Sequence, residues 1–248
     1  MTATIFERNR IGGRVYSYLS RPRKQDASAA LIKLIRDILP GTLVFGGMIR
    51  DMAFGSARDF DSDIDLVSLA TRSEILRAVK EFEPQANKFG GFRFVHKGRL
   101  FDIWAFEDTW AFKEGLVRAG AEQDLCKTTF FNVDAVYQKL GSSKLVCEDS
   151  YLKNLHLRIL DINLAENPSP EKIASRAIWL SWNLELALSV RLQDYVLQHA
   201  SKGLWSQTLS RAILRKLERH RLLNENALFA PSSQMILDQG SFRAFFST

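Results

Sequence analysis

Apolar residues recur along this chain at two spacings, and the switch between them marks out its elements. From Ala27 to about Leu39, the positions Ala30, Leu31, Leu34, Ile35 and Ile38 repeat as one face of a helix, which Pro40-Gly41 closes. Thr42 to Phe45 and Ile64 to Val67 are short apolar runs and predict strands. Met48 to Phe54 predicts a short helix between them. A helical pattern starts again at Thr71, with Ser73 as a rival cap, and runs to about Phe82. Phe92 to His96 and Leu100 to Phe106 then read as two strands of a hairpin with Lys97-Gly98 at its turn.

After about residue 149 the pattern is helical: Tyr151 to Ile162, a long run from Glu171 to Val196 that kinks or splits, Trp205 to His220, and Ser232 to Phe246. Asn167-Pro168-Ser169-Pro170 interrupts it. Trp179 and Trp182, with Leu186 and Val190, predict packing between helices. Residues 1–24, with Gly12-Gly13 and Arg21-Pro22-Arg23-Lys24, read as a basic, irregular segment. The expected plan is a mixed α+β head over 25–145, its central β-sheet flanked by helices. An all-helical part over 146–248 follows.

The chemistry concentrates in the head. Val44-Phe45 leads into Gly46-Gly47-Met48-Ile49-Arg50-Asp51, a strand, a tight turn and a helix start that presents backbone N–H groups to phosphate. Asp63 and Asp65, two apart on an extended segment, point their carboxylates to one face. Asp102, in Phe101-Asp102-Ile103-Trp104, alternates with apolar neighbours and is expected to face the open side of its strand. Three such carboxylates suit two magnesium ions carrying a nucleoside triphosphate. Asp59 and Asp61 are expected to be solvated loop acids. Arg50 either braces the aspartates or meets a phosphate, and Asp51 either contacts the catalytic region or is a structural tie between the head and the following helix.

Composition adds limits. The 248 residues are 46% hydrophobic and 25% charged, ordinary for a globular protein, and the net charge of +6 permits a polyanionic partner without requiring one. Cys126 and Cys147 make no disulfide scaffold, and the four histidines show no zinc spacing. Without a secretion-like start or a long apolar run, the expected setting is cytoplasmic, with no membrane partner.

Taken together, these residues resemble the bacterial tRNA nucleotidyltransferase/poly(A) polymerase family of the DNA polymerase β-like superfamily. The Gly-Gly-x-x-Arg-Asp and Asp-x-Asp signatures stand intact at 46–51 and 63–65, with Asp102 as the third metal carboxylate. The resemblance extends over roughly 25–190. It implies that Asp63, Asp65 and Asp102 bind magnesium and catalyse transfer, and that Gly46, Gly47 and Arg50 bind the triphosphate. The stretch Asp124 to Asn132 resembles the family's nucleotide-holding segment, which implies roles for Lys127 and Asn132; Thr128 stands where an aspartate is expected. In the neck, Arg176-Ala177 matches, which implies a nucleotide contact for Arg176. The family's base-reading Asp and Arg, however, fall on Pro170 and Ile173, and neither side chain can read a base edge. Little chain remains after the neck for a tRNA-gripping body. Triphosphate chemistry therefore carries over, and ordered CCA addition does not.

Arg211, Arg215 and Arg219 repeat at i,i+4, with Lys216 beside them, as a candidate nucleic-acid stripe or a solvated helix face. Three functions stay open. The first is NMP transfer from an NTP to an RNA 3′ end, tRNA included. The second is transfer to a protein or small-molecule hydroxyl, with a toxin, antitoxin or phage-defence role among the options. The third is noncatalytic RNA or partner binding.

Overall fold

The computed structural model describes residues 2–21, 28–55, 60 and 62–199. They divide into two compact units. One is Met1–Thr129 with Val133–Leu155; the other is Phe130–Asn132 with the described residues from His156 on. The architecture is mixed α/β: a central sheet flanked by helices, then C-terminal helices.

The first unit opens with α1 (Thr2–Ser20), where an irregular segment was expected. Ile11, Val15, Tyr18 and Leu19 form a buried helical stripe that Gly12-Gly13 disguised as a break. Gly12 is there for clearance, because a Cβ on it would sit 2.1 Å from the Ser143 carbonyl oxygen. Helix α2 (Ser28–Ile38) follows and buries Leu31, Ile32 and Ile35.

Next come β1 (Leu43–Phe45), α3 (Gly47–Phe54), β2 (Ile64–Ser68) and α4 (Arg72–Val79). Thr71 rather than Ser73 caps α4, in a reciprocal capping box with Glu74. Strands β3 (Gln85–Ala86), β4 (Phe92–His96) and β5 (Arg99–Ala105) precede the short helix α5 (Trp110–Lys113). Lys97 and Gly98 both take positive φ, as a two-residue hairpin turn between β4 and β5 requires. Strands β6 (Val136–Lys139) and β7 (Leu145–Cys147) complete the sheet, and α6 (Asp149–Leu157) follows.

The seven strands lie in the order β3-β4-β5-β2-β1-β6-β7. Only β2 and β5 pair in parallel; every other neighbouring pair is antiparallel. One face carries Ile64, Leu66, Phe101 and Ile103, all fully buried. The other face carries both apolar and acidic positions. On it Leu43, Phe45, Val67 and Tyr137 cluster with Leu125 and Cys126, and Trp104 packs against them. By strand alternation Asp65 and Asp102 lie on this same face, two residues from Val67 and Trp104.

In the second unit the tail of the predicted 151–162 helix becomes a strand, β8 (Ile159–Leu160). The long helical run splits into α7 (Pro170–Leu184) and α8 (Val190–His199), with β9 (Ala187–Leu188) between them. Glu185 takes left-handed φ at the break, and β9 pairs in parallel with β8. Trp179 and Trp182 are half-buried on α7. No helix among the described residues is long and apolar enough to cross a membrane.

Candidate active site

Gly46 is the pivot of the glycine turn. Its φ of 64° and ψ of −113° suit glycine alone, and its N–H donates to the Val136 carbonyl at 2.9 Å, tying the turn to β6. Its own carbonyl accepts from Ile49 and Arg50, which starts α3. As in any helix, the first N–H groups, here those of Gly47 and Met48, have no carbonyl four residues back to meet them. Positive dipole and unsatisfied donors together suit an anion at this end.

Arg50 points the other way, into the protein. It is 2% exposed and pairs with Asp51 at 2.9 Å and with Asp134, two residues before β6. Burial works against its charge, but Asp134 and Asp51 outweigh that effect and raise its pKa further. Of the two roles open to Arg50 in the sequence, this geometry is that of a brace, not of a phosphate ligand. Asp51 also accepts from the Ser62 hydroxyl at 3.0 Å, so the helix that carries the glycines is tied to the residue before Asp63. Arg99 secures the same approach by donating to the Ser62 and Phe60 carbonyls.

Asp63 and Asp65 are partly exposed at the start of β2. Asp65 lies in register with Asp102 on β5, and neighbouring strands are about 4.8 Å apart. The expectation that Asp102 faces an open side needs correction. Its side chain is 10% exposed because Arg93, opposite it on β4, closes over it. Arg93 donates to Asp102 Oδ2 through Nη2 at 2.8 Å and Nε at 3.1 Å, and Asn87 donates to Oδ1 at 3.1 Å. Burial pushes the Asp102 carboxyl above its ordinary range. Arg93 and Asn87 pull it back, and the charge of Asp63 adds to the rise.

A magnesium ion requires oxygen donors near 2.1 Å in octahedral array. The chemistry of Asp63 and Asp65 fits one such ion. Asp102 is instead bonded by Arg93 at Oδ2 and by Asn87 at Oδ1. Among the described residues, no group of three or more His, Cys, Asp or Glu is arranged to hold a metal.

In sequence, no family model matches the chain and no curated protein matches it. In structure, it is similar to the Thermotoga maritima CCA-adding enzyme complexed with tRNA, with a TM-score of 0.55 at 17% identity over 82% of this chain and 53% of that one. A CCA-adding enzyme in complex with CTP aligns with a TM-score of 0.53 at 18% identity, over 82% and 52% of the two chains. A tRNA nucleotidyltransferase with a primer tRNA and an ATP analogue aligns at 0.50 and 13% identity, over 86% and 65%. The fold is that of the tRNA nucleotidyltransferases. This chain spans about half to two thirds of the length of those three proteins.

On the tRNA nucleotidyltransferase fold, the glycine turn, Asp63, Asp65 and Asp102 all come from the first unit. Lys127 is in the same unit, exposed and paired with Asp124 at 2.8 Å. Asn132 and Arg176 belong to the second unit. Asn132 is buried there, donating to the Ile159 carbonyl and accepting from the Asp161 N–H, so its amide staples 130–132 to β8. Arg176 is exposed on α7. Arg211, Arg215, Lys216 and Arg219 lie outside the described residues, as do Asp59 and Asp61.

The sequence reading passed over Arg93, Asn87, Ser62 and Asp134. For Arg93 the signal was present: a two-residue turn at Lys97-Gly98 sets His96 against Arg99, and counting back along both strands sets Arg93 against Asp102.

Proposed function

We propose that this chain is a magnesium-dependent nucleotidyltransferase that moves an NMP from an NTP to a hydroxyl, with an RNA 3′ end, tRNA included, as its acceptor. The observation that carries this reading is the meeting of two features at one end of one sheet. They are the donor-bearing glycine turn and the Asp63/Asp65 carboxylates, joined through Asp51 and Ser62. The tRNA nucleotidyltransferase fold supports it. In the reaction the acceptor oxygen bonds to the α-phosphorus as the α–β bridging bond breaks, and pyrophosphate leaves with the electron pair. The α3 N-terminus binds and orients the triphosphate. Asp63 and Asp65 hold the magnesium, which when bound offsets triphosphate charge as it builds on the leaving group.

Pro170 and Ile173 open α7 at the positions where the family resemblance sets a base-reading Asp and Arg, so ordered addition of C, C and A is not expected. That same loss favours a second reading, in which the acceptor is a protein or small-molecule hydroxyl.

The test is incubation with each α-labelled NTP, magnesium, total RNA, protein extract and small molecules, followed by separation of the products. Label in RNA supports the first reading and label in protein or small molecules the second. Asp63→Asn or Asp65→Asn should cut transfer by at least about 10²-fold with the fold intact. Wild-type turnover by either folded variant would overturn the assignment.

A further inference from the structure

Two polar side chains converge on Asp102, and both are built into place. Asn87 closes a turn between β3 and β4: its Oδ1 accepts from the Phe89 and Gly91 N–H groups, and its Nδ2 is thereby aimed at Asp102. Gly91 leaves the space for this, since a Cβ there would meet Asn87 Nδ2 at 2.9 Å and Trp104 Cβ at 3.1 Å. Arg93 arrives from the next strand as the direct cross-strand partner of Asp102. Its guanidinium grips the single oxygen Oδ2 with two donors, and Asp102 itself leaves its strand on the face shared with Asp65. The carboxylate is sealed at 10% exposure while Arg93 is 52% exposed, so the cation can swing into water but the acid cannot.

A divalent ion seeking Asp102 Oδ2 must displace this guanidinium, because two cations cannot share the oxygen at bonding distance without strong repulsion. We infer that Arg93 is a positioning residue that occupies, on Asp102, the place of a second metal ion. The carboxylate end therefore takes one divalent ion, at Asp63 and Asp65, for as long as Arg93 holds Asp102. This rests on the proposed transferase site and deepens it: two ions become one ion and one arginine. Arg93 keeps Asp102 oriented in the absence of metal, and its removal opens a second binding position.

The experiment is Mn2+ binding to the full chain, followed by electron paramagnetic resonance without nucleotide. Five proteins are compared: wild type, Asp65→Asn, Arg93→Met, Arg93→Lys, and Arg93→Met combined with Asp102→Asn. Circular dichroism checks that each is folded. Wild type should bind one ion per chain, and that ion should be lost in Asp65→Asn. Arg93→Met should bind a second ion at least about tenfold tighter than any second binding by wild type. The double variant should lose that ion again, and Arg93→Lys should behave as wild type. Two ions on wild type, or no gain in Arg93→Met while the first ion persists, would overturn the role of Arg93. No Mn2+ on wild type, or binding indifferent to Asp65→Asn, would overturn the transferase site itself, and this proposal with it.

Discussion

Two arginines of the first unit each hold a carboxylate, and they do so in opposite ways. Arg50 is sealed beneath the glycine turn, pairs with Asp51 and Asp134, and joins α3 to the turn before β6 and, through Asp51 and Ser62, to the approach of Asp63. Arg93 lies half in water at the end of the carboxylate row, its only ion-pair partner among the described residues being Asp102. A buried pair cannot open without stranding charge, so it fixes geometry. A pair with one exposed member opens at low cost, so it suits a position that must exchange one cation for another. The same residue types thus build a fixed frame on one side of the site and a replaceable cap on the other.

The sharpest way to break this contrast is Arg50→Ala. Two partly buried carboxylates would lose their partner, at a cost of about 3–5 kcal/mol in urea unfolding. A loss below about 1 kcal/mol would mean that the network is ornamental and the turn is held by its backbone alone. Arg93→Ala should cost about 1 kcal/mol or less in the same measurement. A cost equal to that of Arg50→Ala would erase the distinction between frame and cap.

The smallest effect is one of pH. Asp102 keeps its proton to higher pH when folded than the ordinary carboxyl value of 3.8. Its contribution to stability is therefore complete below that value and is lost as pH rises through the folded value. Arg93→Ala removes a group that favours the charged carboxylate, so Asp102 should move further up. The stability gap between wild type and Arg93→Ala should then vanish in acid and widen toward neutrality, as read by urea unfolding from about pH 4 to about pH 7. A gap that is flat with pH would show that Arg93 acts by packing and not by charge. Arg50 stays charged across this range, its pKa raised by Asp134 and Asp51, so its own ionisation adds no such slope.

The frame was more legible in the sequence than the cap. Gly46-Gly47 and Arg50-Asp51 sit within six residues, and a strand, a turn and a helix start follow from local pattern alone. Asp134, the far anchor of Arg50, comes 84 residues later, and nothing local ties the two together. Helix α1 was missed because Gly12-Gly13 reads as a break when the reason for it, the Ser143 carbonyl beside Gly12, lies across the fold. Strands β6 and β7 were likewise passed over, because short strands in mixed sequence gain their pattern from neighbours. The openness assigned to Asp102 failed for a subtler reason. Alternation sets the face a side chain leaves from, but a cross-strand arginine decides whether that face is open. The hairpin turn at Lys97-Gly98 contained that answer once it was used to set register.

The most direct test is a crystal structure of the chain with Mn2+ and a non-hydrolysable NTP analogue, collected at a wavelength where manganese scatters anomalously. The expected result is an anomalous peak about 2.1 Å from carboxylate oxygens of Asp63 and Asp65, with the triphosphate against the N–H groups of the Gly46-Gly47 turn. A nucleotide bound elsewhere, or a peak that ignores both aspartates, would contradict it.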